Sequence, residues 1–81
     1  MQIIIEISYY PLTGDYNVPV KEFLERISRR ESIQVESGSM STLIAGEYHQ
    51  VMNTLTDTLA PLMERYPSVF TLKISNACRI K

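Results

Sequence analysis

The segment from Gly38 to Glu47, GSMSTLIAGE, sets the hydroxyls of Ser39, Ser41 and Thr42 around Met40. A strand that only filled a core would be richer in Val, Ile and Leu. Hydroxyls donate and accept hydrogen bonds, so this stretch is suited to bonding a neighbouring strand or a small polar ligand. Gly46-Glu47 then leads into a long amphipathic pattern. Glu47 at a helix start complements the positive end of the helix dipole, and a ligand contact there stays open because a strand end and a helix end meet. Tyr9, Tyr10 and Tyr16 follow the first strand-like run. They offer an aromatic wall, or serve as ordinary core and rim tyrosines. His49 is the only histidine and has no Cys or Ser partner at a recognisable spacing, so it reads as a surface helix residue. The single cysteine, Cys78, has no intrachain disulfide partner and reads as a strand residue rather than a nucleophile. The sequence contains no Gly-rich phosphate loop, paired carboxylate motif or metal-ligand spacing. Those absences argue against an enzyme, a cofactor or a resident metal.

A chain of 81 residues makes one domain, spanning 1–81. At this size folding buries only roughly 60–65% of the surface the unfolded chain exposes, so the core is modest and association between copies is a common remedy. Eight basic and nine acidic residues give a net charge of −1 with no block of like charge. That excludes the basic footprint of a nonspecific nucleic-acid binder. No apolar run approaches the ~18 residues of a membrane span, and Met1 leads straight into a strand-like run with no basic leader. The expectation is a cytoplasmic protein without a membrane partner.

Those candidate residues must be held by regular elements. Ile3 to Tyr9 alternates with period two, with Ile3, Ile5 and Ile7 on one face and Ile4, Glu6 and Ser8 on the other. Tyr10-Pro11-Leu12-Thr13-Gly14-Asp15 is a loop. Asn17 is the expected N-cap of a first helix, with Pro19 in its first turn. Val20, Phe23, Leu24 and Ile27 make its buried stripe, and the pattern fades near Glu31. Ile33 to Ser37 reads as strand two with Ile33 and Val35 inward, and Ser37-Gly38-Ser39 as a hairpin turn. Met40 to Ala45 is strand three, whose facing the pattern leaves open. A second helix runs from about Glu47 to Tyr66, with a kink or break expected at Pro61, which lacks a donor and clashes with the carbonyl of Asp57. Val69 to Ser75 is strand four, with Phe70, Leu72 and Ile74 inward and Thr71, Lys73 and Ser75 outward.

The order βαββαβ predicts an α+β ferredoxin-like fold, a four-stranded sheet with two helices on one face. Right-handed crossovers predict strands one and three side by side, and parallel, in the middle. Glu6 and Ser8 would then lie near Ser41 or Thr42 as a polar patch on the open face. Such a patch is either a platform for a flat, polar small molecule, or merely solvated or satisfied between copies.

Three groups of residues resemble the thiamine- and hydroxymethylpyrimidine-binding YkoF family and its short single-domain relatives. They are Ser8-Tyr9-Tyr10-Pro11-Leu12, Gly38-Ser39-Met40-Ser41-Thr42, and Gly46-Glu47-Tyr48 followed by Val51-Met52. The closing Thr71-Leu72-Lys73-Ile74-Ser75 strand also fits. The resemblance implies a ferredoxin-like domain that binds the pyrimidine part of thiamine without doing chemistry, as a carrier or sensor in uptake or salvage. It implies Ser8, Tyr10, Met40, Ser41, Thr42 and Glu47 as ligand-binding candidates. Family members with two units in one chain imply that a pair of units here would come from oligomerisation, and the short chain, whose open sheet face retains Ile4 and Ile44 or Leu43, predicts a homodimer or homotetramer. Glu6, Glu36 or Glu47 could attract the positive thiazolium ring. The competing reading is a structural or regulatory oligomeric module that uses the same open face for self-association. An RNA-binding sheet of this topology would show paired aromatics and a basic surround, whereas the outward residues here are Glu6, Ser8, Thr71 and Lys73.

Overall fold

Isoleucine at every second position builds the central strand. In a computed structural model that describes residues 1–77, β1 (Gln2–Pro11) buries Ile3, Ile5 and Ile7 on one face. The expected strand assignment of Cys78 lies outside the described residues. β1 pairs on one side with β3 (Thr42–Glu47) and on the other with β4 (Ser68–Ser75), while β2 (Gln34–Ser37) pairs with β3, giving the order β2-β3-β1-β4. This is the ferredoxin-like α+β arrangement expected from the element order. Strands one and three are neighbours as predicted, but they run antiparallel, not parallel. The reason is topological. Each crossover helix makes its own pair of strands parallel, β1 with β2 and β3 with β4, but in each case skips a strand. The tight β2–β3 connection reverses the chain, so every adjacent pair is antiparallel.

Two helices cover the isoleucine face. α1 (Asn17–Ile27) contributes Phe23 and Ile27, and α2 (Tyr48–Arg65) contributes Val51, Leu55 and Leu62, all in one buried cluster with Ile3, Ile5, Ile7, Ile33 and Ile44. Each such side chain contributes about 1.5–3 kcal/mol by leaving water, offset by chain entropy. At the surface, an ion pair links the helices, Arg65 Nη1 with Glu22 Oε1 at 2.8 Å, and Arg30, just beyond α1, pairs with Asp57 of α2. Gly46 matters where α2 begins. A Cβ there would come within 3.2 Å of Ile33 Cγ2 and Val51 Cγ2, so glycine lets the strand pass under the first helical turn.

Local chemistry moves several boundaries. Tyr16, not Asn17, is the cap of α1, and the Asn17 N–H is instead met by Asp15 Oδ1 at 3.3 Å. The helix ends at Ile27, short of Glu31, where the Ser28 N–H bonds back to Leu24. Helix α2 continues through Pro61 to Arg65 rather than breaking there. Strand β3 starts two residues later than the pattern suggested because Gly38 N–H and the Ser41 carbonyl close the hairpin at 2.9 Å, which puts Met40 in the turn. The facing of β3 is now resolved. Thr42 and Ile44 point to the helices, and Leu43 and Ala45 to the open face. On β4 the inward assignment of Phe70, Leu72 and Ile74 agrees with their pairing opposite Tyr9, Ile7 and Ile5. Yet the helices leave Leu72 37% and Ile74 52% exposed.

Candidate functional site

A cleft opens where α1 crosses the β2–β3 hairpin. Its floor and back are Ile7, Tyr9, Phe23 and Thr42. Tyr16, Val20 and Leu24 line it from the α1 side, and Ser37 to Ser41 from the hairpin. Its volume is about 250 Å³. That is small against the ~300–1,000 Å³ of pockets for drug-sized ligands, and suits a single-ring molecule. The back wall is rigid. Tyr9 stacks on Phe70 with ring centroids 4.2 Å apart and meets Phe23 edge-on at 5.6 Å. The Ser68 hydroxyl gives its one proton to the Tyr66 carbonyl at 2.9 Å, so at 3.1 Å it accepts from Tyr9. Tyr16 and Met40 are both exposed and stand on opposite sides of the cleft, Met40 at 88% exposure.

Thr42 is the polar group at the back. It is only 6% exposed, and its hydroxyl has no hydrogen-bonding partner among the described residues. No buried polar side-chain atom among the described residues lacks a partner, so the unpaired Thr42 oxygen opens onto the cleft, where it stands as donor and acceptor for whatever enters. Among the described residues, the lining of the cleft includes no charged side chain.

The open face of the sheet carries the charge instead. Ser41 Oγ donates to Glu6 Oε2 at 3.1 Å, and Lys73 Nζ lies 3.9 Å from Glu6 Oε1. A shallow depression of about 290 Å³ joins Glu6, Glu36 and Leu43 to Ser37, Gly38 and Ser41 of the same hairpin. A second, of about 350 Å³, is floored by Ile4, Leu43 and Ala45 beside Gln34 and Glu36.

The six residues implied by the resemblance therefore fall in three places. Met40, Ser41 and Thr42 come together at the cleft. Ser8 and Tyr10 lie on the open face of β1, opposite Thr71 and Val69 of β4. Glu47 stands at the other end of β3, opposite Gln2, five residues or roughly 17 Å of strand from Thr42. There it caps α2, accepting from the His49 and Gln50 N–H groups at 2.9 and 3.2 Å. Burial pushes the Glu47 carboxyl up, but those hydrogen bonds and nearby His49 outweigh it and hold it below the usual range. Pattern reading placed Phe23 and Val20 in a core stripe and so missed them as cleft walls. Ser37 had a signal: it shares the inward parity of Ile33 and Val35, a hydroxyl on a buried face.

No protein-family model and no curated protein matches the chain. Solved structures do match. A Streptococcus pneumoniae protein superposes with a TM-score of 0.84 at 18% identity, over 93% of this chain and 86% of that one. A hypothetical protein of Methanocaldococcus jannaschii gives 0.81 at 19%, over 99% and 84%. A Thermotoga maritima protein, provisionally named for thiamine biosynthesis or salvage, gives 0.80 at 20%, over 93% and 83%. At these identities the likeness establishes the shared ferredoxin-like fold. Among the described residues no helix is long and apolar enough to cross a membrane.

Proposed function

We propose that this chain binds thiamine through its hydroxymethylpyrimidine moiety, or hydroxymethylpyrimidine itself, in the cleft between α1 and the β2–β3 hairpin, and performs no chemistry on it. The observation that carries the reading is the Thr42 hydroxyl, on a nearly buried residue and without a partner among the described residues, opening onto the back of an aromatic-walled cleft. An aminopyrimidine is flat, offers an amine donor and ring-nitrogen acceptors, and fits between Tyr16, Phe23 and Met40. The sequence resemblance and the Thermotoga neighbour's provisional name support the same ligand class. An uncharged cleft favours the neutral pyrimidine over the cationic thiazolium, which would extend past Met40 into solvent. On this reading the chain serves as a carrier or sensor, and the polar groups that the described residues bring to the cleft are hydroxyls suited to binding.

Isothermal titration with hydroxymethylpyrimidine and with thiamine tests the proposal. The expected result is binding of both, with dissociation constants within a few-fold of each other. Absence of binding to either at millimolar concentration overturns the reading. A preference for thiamine beyond about tenfold would move recognition to a carboxylate such as Glu6 or Glu36.

A further inference from the structure

The two edges of the sheet are built differently. The β2 edge is short, only Gln34–Ser37, and carries Glu36, which is how edges are ordinarily kept from pairing. The β4 edge runs eight residues, Ser68–Ser75, with no proline, and its single charge, Lys73, is turned onto the open face toward Glu6. Val69, Leu72 and Ile74 are exposed on it, the last two on the helix face where neither helix covers them. A long, apolar edge that no described residue guards is a pairing surface.

From this edge we infer that β4 pairs antiparallel with β4 of a second copy, joining two sheets into one of eight strands. The order of residues along β4 supports a self-complementary match. A two-fold axis normal to the sheet keeps the helix faces of both copies on one side, so opposed residues must share parity. Centred on Leu72, the pairing sets Leu72 opposite Leu72 of the second copy, and Ile74 opposite its Phe70. The exposed apolar side chains of the helix face are then covered, and Lys73 falls opposite Thr71, so no like charges meet. Moving the centre to Thr71 leaves Ile74 against Ser68, which loses the match. An eight-residue strand is roughly 27 Å long. Pairing along one such edge buries less than the ~800 Å² per partner of a standard stable interface, so the dimer should form reversibly in the micromolar range.

Sedimentation equilibrium from roughly 1 to 300 µM, the range expected for an interface below standard size, tests this. The unaltered protein should pass from monomer to twice the monomer mass, and Ile74→Lys should raise the midpoint at least tenfold. Amide hydrogen exchange on the unaltered protein at both ends of the range makes the test independent of how that variant folds. Protection should rise along β4 with concentration and stay constant along β2. A monomer at every concentration overturns the inference. So does a dimer that Ile74→Lys spares but Ile4→Lys dissolves, which would put the contact on the open face, or protection that rises along β2 and leaves β4 unchanged.

Discussion

Replacing Thr42 by Val keeps a branched side chain of nearly the same shape and removes one hydroxyl. The structure separates the consequences for stability from those for binding. No described residue bonds that hydroxyl, so the unliganded protein loses no protein–protein hydrogen bond. The hydroxyl oxygen opens onto the cleft, so exchanging it for methyl relieves no buried, unpaired polar group either. Stability should therefore stay level, within about 0.5 kcal/mol or roughly 2–4 °C in Tm for a domain of this size. Ligand binding should instead weaken by the net worth of one hydrogen bond, about 0.5–1.5 kcal/mol, or roughly two- to thirteenfold. Thermal melts followed by circular dichroism give the first quantity, and titration calorimetry with hydroxymethylpyrimidine gives the second. Ser41→Ala is the control. Its hydroxyl already donates to Glu6 on the open face, so its loss should change affinity less than Thr42→Val does. A drop in Tm of several degrees for Thr42→Val would mean that the hydroxyl supports the fold. Unchanged affinity would mean that it does not meet the ligand. Either result refutes the reasoning.

Two further predictions concern the helices. Burial pushes the Glu22 carboxyl up, but the Arg26 hydrogen bond, the Arg65 charge and the Tyr66 hydroxyl together outweigh it and leave it below its ordinary value of 4.5. A depressed carboxyl stabilises the fold above the unfolded value and loses that contribution as pH falls through the folded one. Denaturant unfolding at a series of acidic pH values should thus show a shallower loss for Glu22→Gln than for the parent, and parallel curves would contradict the assignment. Pro61→Ala restores a donor within α2 and should preserve helical circular dichroism while raising stability by about 1–3 kcal/mol. Melting at or below the parent temperature would show that the proline ring's packing outweighs the missing bond.

Wherever one face of an element was apolar and the other polar, the residues alone were enough. The alternation of Ile3, Ile5 and Ile7, and the stripes of Val20-Phe23-Ile27 and Val51-Leu55-Leu62, led to the right elements and the right architecture. The direction of β3 relative to β1 was mistaken because the alternating pattern is the same in either direction. Only the hairpin reversal, counted through the crossover, decides it. Strand β3 resisted assignment because its buried face starts with a threonine, and a hydroxyl carries no hydropathy signal for facing. The hydroxyl cluster was visible as a composition anomaly, but which of its members faces the helices was not. Ser41 and Thr42 are adjacent in sequence and so fall on opposite sides of the sheet. Glu47 looked close to that cluster in the chain, yet six extended residues of β3 carry it to the far end.

The pairing of β1 with both β3 and β4 also shapes how the chain reaches its native state. β1 is the first strand in sequence and sits in the middle of the sheet, while one of its two neighbours is the last. Ile4 meets Ser75 across 71 residues, and Tyr9 meets Phe70. Such distant pairings place the rate-limiting step late and make folding slow relative to a helical bundle of equal length, because the loop-closure entropy is lost before these contacts reward it. During synthesis β1, α1 and the β2–β3 hairpin can assemble first, leaving one side of β1 open until β4 emerges. At ~5–20 residues per second that interval lasts on the order of seconds, when the growing chain is most exposed to mispairing. Closure of the Tyr9–Phe70 stack then marks completion of the sheet and of the back wall of the cleft together, so the cleft takes its final shape only once β4 has docked.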